Sequence, residues 1–150
     1  MPKEYCGLIG IYGHPEAARM AYFGLYALQH RGQESAGIVT WDGERLREQR
    51  GMGLVADVFS ERHLGHELKG KVAMGHIRYS TTGASLLRNA QPFLVRFRDQ
   101  HMAIAHNGNL VNTFQLRKEL EAQGSLFQTS MDSEIFMHLV AKSLNGNSLE

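Results

Sequence analysis

Short apolar runs alternate along the chain with glycine-rich polar clusters. CGLIGIYG at 6–13 is apolar and interrupted by glycine, the pattern of a buried strand that another backbone or a ligand approaches closely. Pro15 opens a predicted helix over 16–29, where Ala17, Met20, Ala21, Gly24 and Leu28 recur at three and four, and Gly32 is its expected stop. AGIVTW at 36–41 and ERLREQRG at 44–51 flank Asp42-Gly43, a strong hairpin signal. KVAMGHI at 71–77 and HMAIAH at 101–106 read as strands, and each runs straight into a polar cluster, RYSTTG and NGNLVN. Asn112 is placed to cap the helix TFQLRKELEAQ, with Gln115 at the capping-box position and Gly124 past its end. A short strand is expected at 125–129. A last helix, SMDSEIFMHLVAKSL, carries an apolar face through Phe136, Leu139, Val140 and Leu144. This order predicts an α+β layered domain with antiparallel sheet rather than a regular βαβ alternation.

Composition narrows the function classes. The 150 residues suit one domain, and the trailing NGNSLE after the last helix suggests a piece of something larger. Sixteen Lys and Arg against 15 Asp and Glu give a net charge of +1, spread along the chain rather than gathered into a phosphate-tracking stripe, so no nucleic-acid partner is expected. The start is too mixed in charge for a signal peptide, and no apolar run approaches the roughly 18 residues of a membrane span, so neither secretion nor a membrane is expected. A single cysteine, Cys6, closes no internal disulfide and suits a reducing compartment, by default the cytoplasm.

That cysteine raises the question of chemistry. On an apolar strand it reads first as a small buried hydrophobe and only second as a nucleophile. A thiol nucleophile needs a base, and no cysteine-protease signature supplies a histidine. Were Cys6 the first residue, its own α-amine, with an ordinary pKa of about 7.7–8.0, would sit beside the sulfur and take its proton. AHNGN at 105–109 offers an Asn107 amide and a Gly108 N–H at the tip of a strand, fitting either an oxyanion site or a plain Asn-Gly turn. Arg78, followed by the hydroxyls of Tyr79, Ser80, Thr81 and Thr82, fits a carboxylate clamp or an exposed ion pair. Asp132 fits an ammonium acceptor or a helix cap. His63, His66, His76, His101 and His106 raise a metal hydrolase as a rival, although no His-Glu-x-x-His helix is present and no metal is expected.

As an ordered set, CGLIG, LQHRGQESAGI, GHIRYSTTG, QPF, AHNGNLVN and DSE resemble the glutaminase domain of class II glutamine amidotransferases, the N-terminal-nucleophile enzymes. Within that family HRGQESAG and HNGNLVN are similar to the branch that serves purine synthesis. The resemblance implies an αββα sandwich of antiparallel sheets between helix layers, incomplete at the C-terminus, with residues 1–5 a leader and 6–150 the N-terminal part of the glutaminase domain. It implies that Cys6 attacks the glutamine side-chain amide with its freed α-amine as base, and that Asn107 and Gly108 hold the oxyanion. Arg78 would bind the substrate α-carboxylate, Asp132 its α-ammonium, and Arg31 would shape the loop around the nucleophile. The ammonia would pass to a phosphoribosyltransferase domain, normally in the same chain, to make phosphoribosylamine from phosphoribosylpyrophosphate. No cofactor is expected in this chain, magnesium only in that second domain, and a homo-oligomer is compatible. Two departures stand out: Met131 where the family usually has Ser before the aspartate, and a length roughly 80 residues short of the family's domain, by resemblance, which leaves open an inert fragment that only binds.

Overall fold

The computed structural model describes residues 6–79, 86–97, 100–108, 110–129 and 131–144. Residues 1–5, expected above to be a leader, Ser80 to Thr82 and Asn109 lie outside them, as does the side chain of Leu144.

The glycine-broken run at the start forms β1 (Gly7–Tyr12), followed by α1 (Ala17–Ala27) and a single 3-10 turn, Gln29–Arg31. The hairpin signal gives β2 (Ser35–Trp41) and β3 (Leu46–Met52), joined where Asp42 accepts the N–H groups of Glu44 and Arg45 on one carboxylate oxygen. After a short helix α2 (Val55–Val58) and a π-helical turn at His63–Glu67 comes β4 (Val72–Arg78). β4 pairs antiparallel with both β1 and β2, so the sheet order is β1-β4-β2-β3. β5 (Phe93–Phe97) and β6 (Gln100–Ile104) form a second, two-stranded sheet, and α3 (Thr113–Ala122) and α4 (Asp132–Leu144) follow.

The small residues of α1 let it close on one face of the larger sheet. Ala17, Ala18, Ala21 and Leu25 are buried there with Ala36, Ile38, Ala73 and Ile77, which gives the molecule its principal core. The opposite face meets the segment around the second sheet: Arg50 donates to the Ala90 carbonyl, and His76 reaches the His106 carbonyl. α4 packs on β5 and α3 on α4, so the layers run helix, sheet, sheet, helices, which is the αββα arrangement implied by the resemblance. No described helix is long and apolar enough to cross a membrane.

Several local expectations are corrected. Residues 125–129 form no strand, because the N–H groups of Gln128 and Thr129 are taken by the Glu134 carboxylate of α4 and not by a ladder. α4 turns Asp132, Ser133, Glu134 and Ile135 inward, while Phe136 and Val140 are each 36% exposed, so the apolar face read from the sequence is not the buried one. Gln115 bonds Glu119 one turn on instead of reaching back to Asn112, whose side chain makes no capping bond. Gly32 is extended (φ −157°), not a left-handed helix stop, and lies so close to β4 that a Cβ would come within 2.8 Å of the Arg78 carbonyl. β5 carries no expectation from the pattern reading.

Candidate active site

Antiparallel pairing places the candidate residues on one edge. β1 starts where β4 ends, with Gly7 opposite Ile77, so Cys6 sits beside the exit of β4. The half-buried Cys6 Sγ accepts the Tyr79 N–H at 3.5 Å and lies 3.7 Å from the Tyr79 carbonyl. A neutral thiol can donate to that carbonyl and a thiolate can accept that N–H, so one residue solvates both forms of the sulfur.

The Cys6 carbonyl ties this residue to two other segments. Asn107 Nδ2 donates to it at 2.9 Å, and Arg31 Nε, from the 3-10 turn after α1, at 3.3 Å. Asn107 and Gly108 follow β6 in a loop whose backbone is held from behind. The His106 N–H donates to Gln91 Oε1 at 2.8 Å, and its carbonyl is 3.2 Å from His76 Nε2. Gly108 has φ +150°, a backbone region open to glycine, and no described atom lies within 4 Å of where a Cβ would stand. The side of the turn on which a Cβ would stand is therefore open.

Asp132 opens α4, yet it does not cap it. Its Oδ2 accepts the Leu110 N–H at 2.8 Å and its Oδ1 lies 3.0 Å from His106 Nε2, so both oxygens are turned toward the Asn107 loop. Arg78 is 3% exposed and paired with Glu34 at 2.8 Å, and the Glu34 N–H returns to the Arg78 carbonyl at 3.1 Å. This is a buried ion pair, not the exposed one that its position after a strand also allowed. Burial pushes His76 down to about 4, against the opposing pull of the His106 carbonyl, so the ring is neutral at neutral pH. Met131 is half-buried, and its N–H donates to Thr129 Oγ1 at 3.1 Å.

The histidines of the metal reading do not gather. His63 is engaged by the Ser60 N–H and Glu67, His76 is sealed in the sheet, and among the described residues no group of three or more potential ligands is placed to hold a metal ion. Cys6, Arg31 and Asn107 are brought together directly, Gly108 adjoins them, and Asp132 joins through Leu110 and His106. Arg78 closes the β4 edge beside them. Sequence reading gave Glu34 and Gln91 no role of their own and weighed His76 and His106 only as metal ligands. Their only signal is a polar side chain inside a run whose neighbours are buried.

The edge gathers the Cys6 thiol, the Asn107 amide, the buried Arg78–Glu34 pair and the Asp132 carboxylate. Comparison with known proteins identifies the family. A family profile described as a glutamine amidotransferase domain matches residues 61–147. The chain is 54% identical over 143 residues to amidophosphoribosyltransferase 1, chloroplastic, of Arabidopsis thaliana, covering 95% of this chain and 25% of that protein. It is 47% identical over 142 residues to an amidophosphoribosyltransferase of Lacticaseibacillus casei, covering 95% of this chain and 73% of that one. A solved structure described as the allosteric regulatory enzyme of purine biosynthesis superposes with a TM-score of 0.84 at 51% identity, over 89% of this chain and 29% of that chain. The chain thus spans about a quarter of the length of the Arabidopsis relative. With the sheet order, the Cys6–Asn107 edge and these matches in agreement, the chain belongs to the glutamine amidotransferase domain family.

Proposed function

We propose that this chain is the glutaminase part of an amidophosphoribosyltransferase and hydrolyses the side-chain amide of glutamine through a Cys6 thioester. The observation that supports the reading is the 2.9 Å bond from Asn107 Nδ2 to the carbonyl of Cys6, the single cysteine of the chain.

Once residues 1–5 are removed, the Cys6 α-amine takes the thiol proton, and the thiolate attacks the amide carbon of glutamine. The carbonyl oxygen becomes an oxyanion held by Asn107 Nδ2–H and Gly108 N–H. An amide nitrogen has two N–H donors, so one stays on Cys6 while the other turns to the oxyanion. The α-ammonium returns its proton to the leaving nitrogen, the C–N bond breaks, and ammonia departs. Water then attacks the thioester, releasing glutamate and restoring the thiol. Arg78, aimed by Glu34, holds the substrate α-carboxylate, and Asp132 holds its α-ammonium. Arg31 fixes the Cys6 carbonyl. The ammonia is used by a phosphoribosyltransferase domain to displace pyrophosphate from phosphoribosylpyrophosphate.

A thiol-directed glutamine analogue tests this in the intact protein. The expected result is stoichiometric labelling of Cys6 that saturating glutamine prevents. Labelling that glutamine does not slow contradicts the reading.

A further inference from the structure

We propose that two histidines divide the positioning of this site: His76 sets the Asn107–Gly108 turn through the His106 carbonyl, and His106 sets Asp132 through its imidazole. The inference rests on the glutaminase reading above and adds residues to which that reading gives no role.

The His106 peptide is gripped from both sides by buried side chains. Its N–H goes to Gln91, 2% exposed, and its carbonyl to His76, 0% exposed. A carbonyl can only accept, so the proton of a neutral His76 is on Nε2. Nδ1 is then a bare acceptor, and it has no partner among the described residues. The ring's hydrogen bonding is directed to this carbonyl and toward the Asn107 side chain, so it acts on the backbone immediately before the two oxyanion donors and on one donor directly. An oxyanion donor works only when its direction is set in advance, so the cost of losing this bond falls on turnover.

The His106 side chain acts elsewhere. Its Nε2 meets Asp132 Oδ1 at 3.0 Å and also lies within hydrogen-bonding reach of the buried Ser133 hydroxyl, while Leu110 N–H holds Asp132 Oδ2. Both carboxylate oxygens are therefore oriented from the same loop, and the ammonium that Asp132 receives is located relative to the oxyanion turn. Replacing the His106 ring leaves its backbone carbonyl on His76, so the two roles separate by mutation.

The test is glutaminase kinetics of the intact protein with H76L, H76Q, H106L and H106Q, alongside the rate at which iodoacetamide alkylates Cys6. That alkylation builds no oxyanion and binds no ammonium. H76L should lower kcat about tenfold or more with KM for glutamine within about threefold. H106L should raise KM about tenfold with kcat within about threefold. The glutamine variants, which reach the Nε2 position, should recover most of each loss, and alkylation should stay near the wild-type rate throughout. Should H76L fail to fold, H76N, too short to reach the carbonyl, must show the same loss of kcat. Variants that move kcat, KM and alkylation together, or that match the wild type, overturn the inference. A wild-type protein that does not turn over glutamine overturns the underlying reading instead.

Discussion

In the unfolded chain a histidine such as His76 titrates near 6.5, whereas in the fold burial holds it down to about 4, with the His106 carbonyl pulling the other way and the charges of His106 and Arg78 adding to the lowering. Between these values the unfolded state binds a proton that the native state does not. The stability from a neutral His76 is complete above pH 6.5 and is lost as pH falls toward 4, at up to about 1.4 kcal/mol per pH unit. Urea unfolding at pH 7 and pH 5 should show a larger loss for the wild type than for H76Q, and equal losses would contradict a buried neutral ring. The sequence showed a histidine on a strand. It did not show which neighbours would cover it, because that depends on β4 pairing with two partners and on the second sheet arriving above.

At the scale of elements, Gly37 and Gly10 make a contrast. A Cβ on Gly37 would stand 2.2 Å from the Gln91 carbonyl oxygen, a backbone atom with little room to give, whereas one on Gly10 would meet nothing within 4 Å. G37A should destabilise by about 1–3 kcal/mol, and it should also disturb Gln91, which holds His106. G10A should stay within about 0.5 kcal/mol. Thermal or chemical unfolding separates them, and equal effects would contradict the close packing of the two sheets. The elements that periodicity found are those with a strong local signal: β1, α1, the β2–β3 hairpin, β4, β6, α3 and α4. The failures share a physical cause. The 125–129 segment has strand-like residues, but the Glu134 carboxylate of α4 captures its N–H groups, a competitor that no local pattern announces. β5 hides its alternation behind Pro92 and Arg96. In α4 the buried face is chosen by polar partners, Asp132 toward Leu110 and Glu134 toward Thr129, and not by the apolar stripe.

Across the whole molecule the candidate site draws on six stretches far apart in the chain: Cys6, Arg31 with Glu34, His76 to Tyr79, Gln91, His106 to Leu110, and Asp132. Spacing alone left Cys6, Arg78, the Asn107–Gly108 turn and Asp132 a choice between chemistry and a bland structural role. Motifs in a fixed order pointed to the family, and the fold then supplied the contacts. Those contacts give several polar residues two partners each, so the site is a set of linked bonds and not a row of independent groups. Everything in the proposed chemistry passes through one nitrogen. While residues 1–5 are attached it is an amide and accepts no proton. The most direct test is therefore intact-mass analysis of the N-terminus coupled to a glutaminase assay. Protein beginning at Cys6 should hydrolyse glutamine, and protein retaining residues 1–5 should not. Full activity with the leader still attached would contradict the account.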